Sequence, residues 1–157
     1  MSPGLFRHVG AGFVVLALLA AAPPQEAGKE TVDVSVLVIL ASERDKTTDA
    51  KLACIAREVQ QEHANLIGFQ IVTMTKKPLA VGTKETFELV GEQKAAITVK
   101  RAADEKNRIE VKIAPPRMGE ITYNTCCGKF LPIVTPYRTK NNDLLILAVR
   151  VQPCREK

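Results

Sequence analysis

Thr31 to Ala41 first alternates, with Val32, Val34 and Val36 separated by Asp33 and Ser35, and then runs continuously apolar from Val36 onward. Alternation belongs to a strand with one wet face, and an unbroken run to a strand buried on both. The segment therefore predicts a strand that enters from an edge and ends inside a core. Ser42–Thr48 reads as a charged loop. From Asp49 to Ile67 the period changes: Leu52, Ile55, Ala56, Val59, His63 and Leu66 recur at helical spacing and form one stripe. Thr48 or Asp49 is placed to cap the first turn, and Gly68 falls where a left-handed C-terminal cap belongs. After Gly68 the chain reads as strands over Phe69–Met74, Thr83–Val90, Ala95–Arg101, Arg108–Ile113, Glu120–Thr125, Phe130–Thr135 and Leu144–Val151. The breaks between them carry turn residues at Gly91, Asp104–Asn107, Pro115–Pro116, Cys127–Gly128 and Asn141–Asp143. This order predicts an α+β fold. An N-terminal strand and one amphipathic helix are followed by an antiparallel meander of six to seven strands, as a sheet or a sandwich.

Residues 1–22 have a different pattern. Arg7 and His8 close a short charged start, Val9 to Ala22 is apolar or small throughout, and Pro23-Pro24-Gln25 ends the run. This is the layout of a secretory signal peptide, and it is shorter than the about 20 apolar residues that a membrane-spanning helix needs. Ala20-Ala21-Ala22 fits the small-residue cleavage rule, although Pro23 then follows the cut. Residues 23–30 read as a polar linker and 31–157 as a single domain. The expected location is exported, periplasmic or extracellular, with no membrane span after cleavage.

Composition narrows the functional classes. Aromatic residues are 4% of the chain and Trp is absent, so the core must be built from Val, Ile, Leu and Ala. The net charge of +5 is spread over sites such as Lys76–Lys77, Lys100–Arg101 and Arg155. Scattered charge of this kind is compatible with an anionic envelope polymer as partner. It lacks the basic run interleaved with aromatics that would suggest nucleic acid.

There are four cysteines, Cys54, Cys126, Cys127 and Cys154. In an oxidising compartment their default fate is a disulfide. If Lys140–Asp143 is a hairpin turn, Thr139 faces Leu144 and Cys154 falls opposite about Lys129, close to Cys126 and Cys127. A bridge from Cys154 to one of these is expected, with Cys127 ahead of Cys126. Cys54 lies on the polar side of the helical wheel, either covered by another segment or open to an intermolecular disulfide. A redox site of the thioredoxin kind separates its cysteines by two residues at a helix start, and a closed zinc site needs four well-spaced Cys or His ligands. Adjacent Cys126 and Cys127 match neither, so no metal and no cofactor is expected.

Enzyme chemistry finds little support. His63 is the one histidine after the leader and sits in the helical stripe. No nucleophile elbow, phosphate loop or H-E-x-x-H is present. Glu85, Glu88, Glu110 and Glu120 could supply a carboxylate pair for glycoside hydrolysis, but they alternate with apolar residues as a wet strand face does. The segment Gly119–Tyr137 gathers both tyrosines, two cysteines, Pro132 and Pro136. Prolines cannot donate to a ladder, so this stretch belongs at a sheet edge. Tyr123, Phe130 and Tyr137 are its candidate docking residues.

The runs D-A-K-L-A-C-I-A at Asp49–Ala56, G-F-Q-I from Gly68 and L-L-I-L-A-V-R-V-Q-P-C ending at Cys154 resemble small exported bacterial proteins of unassigned function. That resemblance covers most of the mature chain and implies no site and no activity. The expected function is an exported, non-enzymatic binding or structural domain of the cell envelope, with an envelope protein as one candidate partner. The alternatives are a thiol or metal protein using Cys126, Cys127 and Cys154, and a small secreted hydrolase.

Overall fold

The computed structural model describes residues 30–154, so the expected signal peptide at residues 1–22 lies outside the described residues. Eight strands form two four-stranded antiparallel sheets. The first sheet contains β1 (Thr31–Ser42), β2 (Gly68–Ala80), β7 (Leu131–Arg138) and β8 (Leu144–Gln152), in the order β2-β1-β8-β7. The second contains β3 (Lys84–Glu88), β4 (Lys94–Arg101), β5 (Arg108–Ala114) and β6 (Ile121–Cys126), in sequence order. The N-terminal strand, one helix and seven further strands are thus as the hydrophobic pattern predicts. The seven do not form one meander. β3 to β6 do, and β7–β8 then cross back, so that β8 pairs with β1 from Asp33↔Gln152 to Ala41↔Leu144.

One apolar cluster lies between the sheets. Val32, Val34, Val36 and Val38 of β1 and Leu145, Leu147, Val149 and Val151 of β8 meet Phe87, Ile97, Val99, Ile109, Val111 and Ile113 of the second sheet. A second cluster covers the outer face of the first sheet. There Leu37, Ile39 and Ala41 join Phe69, Leu144 and Ile146 under Leu52, Ile55, Ala56 and Val59 of the helical segment. This explains the unbroken apolar runs in β1 and β8, whose alternate residues fill two different clusters.

The helix is shorter than its sequence period predicts. Asp49 caps a 3₁₀ turn at Ala50–Leu52 by accepting from Lys51 N at 2.9 Å, and α1 (Ala53–Gln60) follows. A helix from Asp49 to Ile67 would be about 28 Å long. Its two flanks instead meet, because Asp49 N donates to Phe69 O at 2.9 Å and Phe69 N to Thr47 O at 3.0 Å. The chain must therefore turn back after Gln60, and Leu66 reaches the core from the returning segment. Gly68 is not a left-handed cap but the first residue of β2, paired with Ser42. Only a residue without a side chain fits there, because a Cβ would overlap the carbonyl oxygen of Asp45.

β2 also runs six residues beyond the expected Met74, to Ala80. Charged Lys76 and Lys77 and the ring of Pro78 are tolerated because β2 is an edge strand. Lys76 pairs with Asp33 at 3.0 Å, and Lys77 pairs with Glu85 at 3.1 Å while lying over the Phe87 ring. β7 forms the opposite edge, where Pro132 and Pro136 are expected. Four steps along β7, from Val134 to Arg138, match only two along β8, from Ile146 to Leu144, and the buried Thr135 hydroxyl donates to Leu145 O at 2.8 Å inside that irregularity.

Candidate interaction surface

The three rings singled out in the sequence do not form one patch. Tyr123 of β6 packs half-buried against the cluster between the sheets, and burial pushes its phenol pKa up. Tyr137 of β7 packs against the same cluster, with its hydroxyl against Gly91 and the Arg117 guanidinium 5.0 Å from its ring centre. Phe130 belongs to the helix-side cluster instead, with the Arg150 guanidinium 4.5 Å above its ring. Arg150 Nε is buried there without a hydrogen-bond partner.

Cys127 and Cys154 form a disulfide with a Cα–Cα separation of 5.6 Å. Cys127 immediately follows β6 and Cys154 lies two residues past β8, so the bridge ties the second sheet to the first. Strand alternation decides between the two adjacent cysteines. Thr122, Asn124 and Cys126 point outward from β6, whereas Tyr123 and Cys127 pack on the core. Cys126 is accordingly a free, exposed thiol, and so is Cys54 on α1. Among the described residues no three Cys, His, Asp or Glu side chains come together as a metal site.

The acidic residues weighed for hydrolysis are spread over the sheet surfaces. Glu85 pairs with Lys77, Glu110 with Arg101 and Glu120 with Lys112. The hydrogen bond from Lys112 holds the Glu120 carboxyl below its usual pKa, the opposite of the raised value that a general acid needs. Glu88 is exposed on β3. His63 lies beyond the end of α1, not on it, and lines a shallow hollow with Glu58, Glu62, Pro132 and Val134.

The feature that the sequence reading passed over is the free edge of β2. This strand is 13 residues long. Its start is covered by Thr47–Asp49, where Thr48 forms a parallel bridge with Phe69. Its far end is tied to β3 by Lys77, which donates to Thr86 O at 3.0 Å. Between them Gln70–Thr75 has β1 on one side and no described strand on the other. A register shift leaves Val72 as an extra residue between Ile71↔Ile39 and Thr73↔Val38. Val72 is 46% exposed and Met74 58%, and these are the two exposed large hydrophobic side chains among the described residues. The other edges are better defended: β7 carries two prolines, β3 is five residues long with Lys84, Glu85 and Glu88, and β6 is six residues long. Long apolar edges without charge invite another strand. The sequence signal for this edge was the charge-free run Q-I-V-T-M-T in a chain that is 25% charged.

The chain matches no protein-family model, no curated protein and no solved structure. Among the described residues no helix is long and apolar enough to cross a membrane.

Proposed function

We propose that this protein is an exported, non-enzymatic domain of the cell envelope that works by accepting an extended segment on the free edge of β2. The observation that carries this reading is the coincidence, among the described residues, of the two exposed large hydrophobics, Val72 and Met74, with the one long edge that lacks charge or proline between its covered ends. Backbone groups along that edge supply affinity, and the alternating side chains supply selectivity, as in other cases of strand addition. Export is supported by the leader pattern of residues 1–22 and by the Cys127–Cys154 bridge, which is at home in an oxidising compartment.

Two measurements test the two halves of this proposal. The intact mass of the protein recovered from cells, before and after reduction, should show a chain cut near Ala22 with one internal disulfide. An uncut chain with four free thiols would sink the export reading. In a titration with short extended peptides of apolar-alternating sequence, backbone amide signals of Gln70–Thr75 should shift before any others. Shifts confined to β7 or to the helix would place docking elsewhere.

A further inference from the structure

We infer that the segment received by the β2 edge is the same edge of a second copy, paired antiparallel about a two-fold axis through Thr73. This rests on the strand-docking reading above and names its occupant. The free stretch is self-complementary in three respects. First, with Thr73 facing itself, Val72 of each copy lies directly opposite Met74 of the other, so the two exposed hydrophobics cover one another twice. Directly opposed residues of an antiparallel pair share a face, with Cβ atoms about 4.5–5.5 Å apart. Second, no charge interrupts Gln70–Thr75, so the pairing sets no like charges against each other. Third, Lys76 then falls opposite Gln70 of the second copy, next to its Thr47–Asp49 cover, whose one charged residue is Asp49. The basic end of one strand thus meets one acidic side chain at the start of the other, in a loop that also carries Arg44 and Lys46.

The geometry also bounds the strength. The loop at Thr47–Asp49 and the Lys77 contact with β3 confine pairing to the stretch between them, and the extra residue at Val72 twists it. This is far short of the roughly 20–30 residues a side of a standard interface, so the dimer should be weak, with a dissociation constant on the order of 0.1 mM.

The test is sedimentation equilibrium of the purified protein and of two surface variants, Val72→Glu and Met74→Lys. Both positions are exposed, and circular dichroism should confirm that each variant folds. The protein should self-associate. Each variant alone places a charge against an apolar side chain at both symmetry-related contacts and should weaken association at least about tenfold. Mixed one to one, they should recover it, because the carboxylate introduced by Val72→Glu then faces the ammonium introduced by Met74→Lys at one contact, while the other contact is native. A protein that stays monomeric at about 1 mM, ten times the expected constant, overturns the inference. So does a mixture that is no tighter than its components. A synthetic peptide of the Gln70–Lys76 sequence separates the two failures. If it shifts β2 amides while the protein remains monomeric, the edge accepts strands but belongs to another chain. If it shifts none, the docking reading fails as well.

Discussion

The disulfide allows the most quantitative test of how this sandwich is held together. It closes a loop with a sequence separation of 27 residues, and in the chain-entropy model such a cross-link stabilises by about 3.5 kcal/mol by restricting the unfolded chain. The perturbation is the double substitution Cys127→Ala with Cys154→Ala. Cys127→Ala alone would leave Cys126 as an adjacent thiol with which Cys154 could pair. Losing the half-buried Cys127 sulfur adds a small packing cost. The assay is urea unfolding followed by far-ultraviolet circular dichroism without reductant. For a domain of this size, with a urea slope of about 1.5 kcal/mol per molar, the midpoint should fall by roughly 2 M. The slope itself should rise, because the unfolded chain is no longer held compact. Cys126→Ala is the control and should leave both quantities unchanged, since its thiol is free and exposed. A loss below about 1 kcal/mol with an unchanged slope would refute the premise that the bridge acts by confining the unfolded state.

Three further outcomes follow from individual side chains. Gly68→Ala should destabilise by about 1–3 kcal/mol, as overpacking does, because the new Cβ meets the Asp45 and Thr47 backbone rather than a movable side chain; a urea midpoint within error of the parent would contradict this. Arg150→Met keeps the apolar stem beside Phe130 and removes a buried, unpartnered Nε, so stability should hold or rise, whereas Arg150→Ala should cost about 1 kcal/mol of packing and cation–π contact; thermal melts in which Met is the worse of the two would reverse the reasoning. Asp104 accepts from the backbone N–H groups of Arg108 and Lys106, both at 2.9 Å, and the Arg108 bond, as the largest cause, holds its pKa below the ordinary value. A lowered folded-state pKa contributes stability that is present above the unfolded value of about 3.9 and is lost as pH falls through the folded one. A carboxyl carbon titration of Asp104 by NMR should therefore show a midpoint below about 3.9, and a midpoint at or above it would contradict the assignment.

Residues whose role is local were legible in the sequence. The double burial of β1 followed from Val36–Ala41 and the edge position of β7 from Pro132 and Pro136, whereas the helical wheel left Cys54 either covered or open, and it is exposed. Features set by closure of the chain on itself were not legible. His63 and Leu66 keep helical spacing, yet the meeting of Asp49 with Phe69 forces the helix to stop at Gln60. Gly68 has the position of a cap, but its need for space comes from Asp45, which is distant in sequence. Lys76, Lys77 and Pro78 have the character of a strand end, and their continuation as strand comes from pairing with β1 out to Thr31↔Ala80 and from the burial of Leu79. The expected pairing of Thr139 with Leu144 missed the irregularity in β7, where Arg138 takes that place. The candidate site was less legible, because the tyrosines and cysteines concentrate in Gly119–Tyr137, away from the β2 edge. The exposed edge was signalled by missing charge, which carries weight only once a strand is known to be an edge.

The pairing of β1 with β8 also sets a timetable. β3 to β6 join through successive hairpins, so each strand of the second sheet meets its partner as soon as that partner has been made. β1 gains β2 early, but its other flank remains open until β8 arrives, more than a hundred residues later in the chain. Such non-local closure is slow, because loop-closure entropy is lost before the contact is gained. On a ribosome or emerging from a translocation channel, the second sheet should therefore assemble first. The strand richest in valine would keep one flank open until β8 arrives, so its apolar row, with the inner face of the second sheet, is a surface that a chaperone would meet.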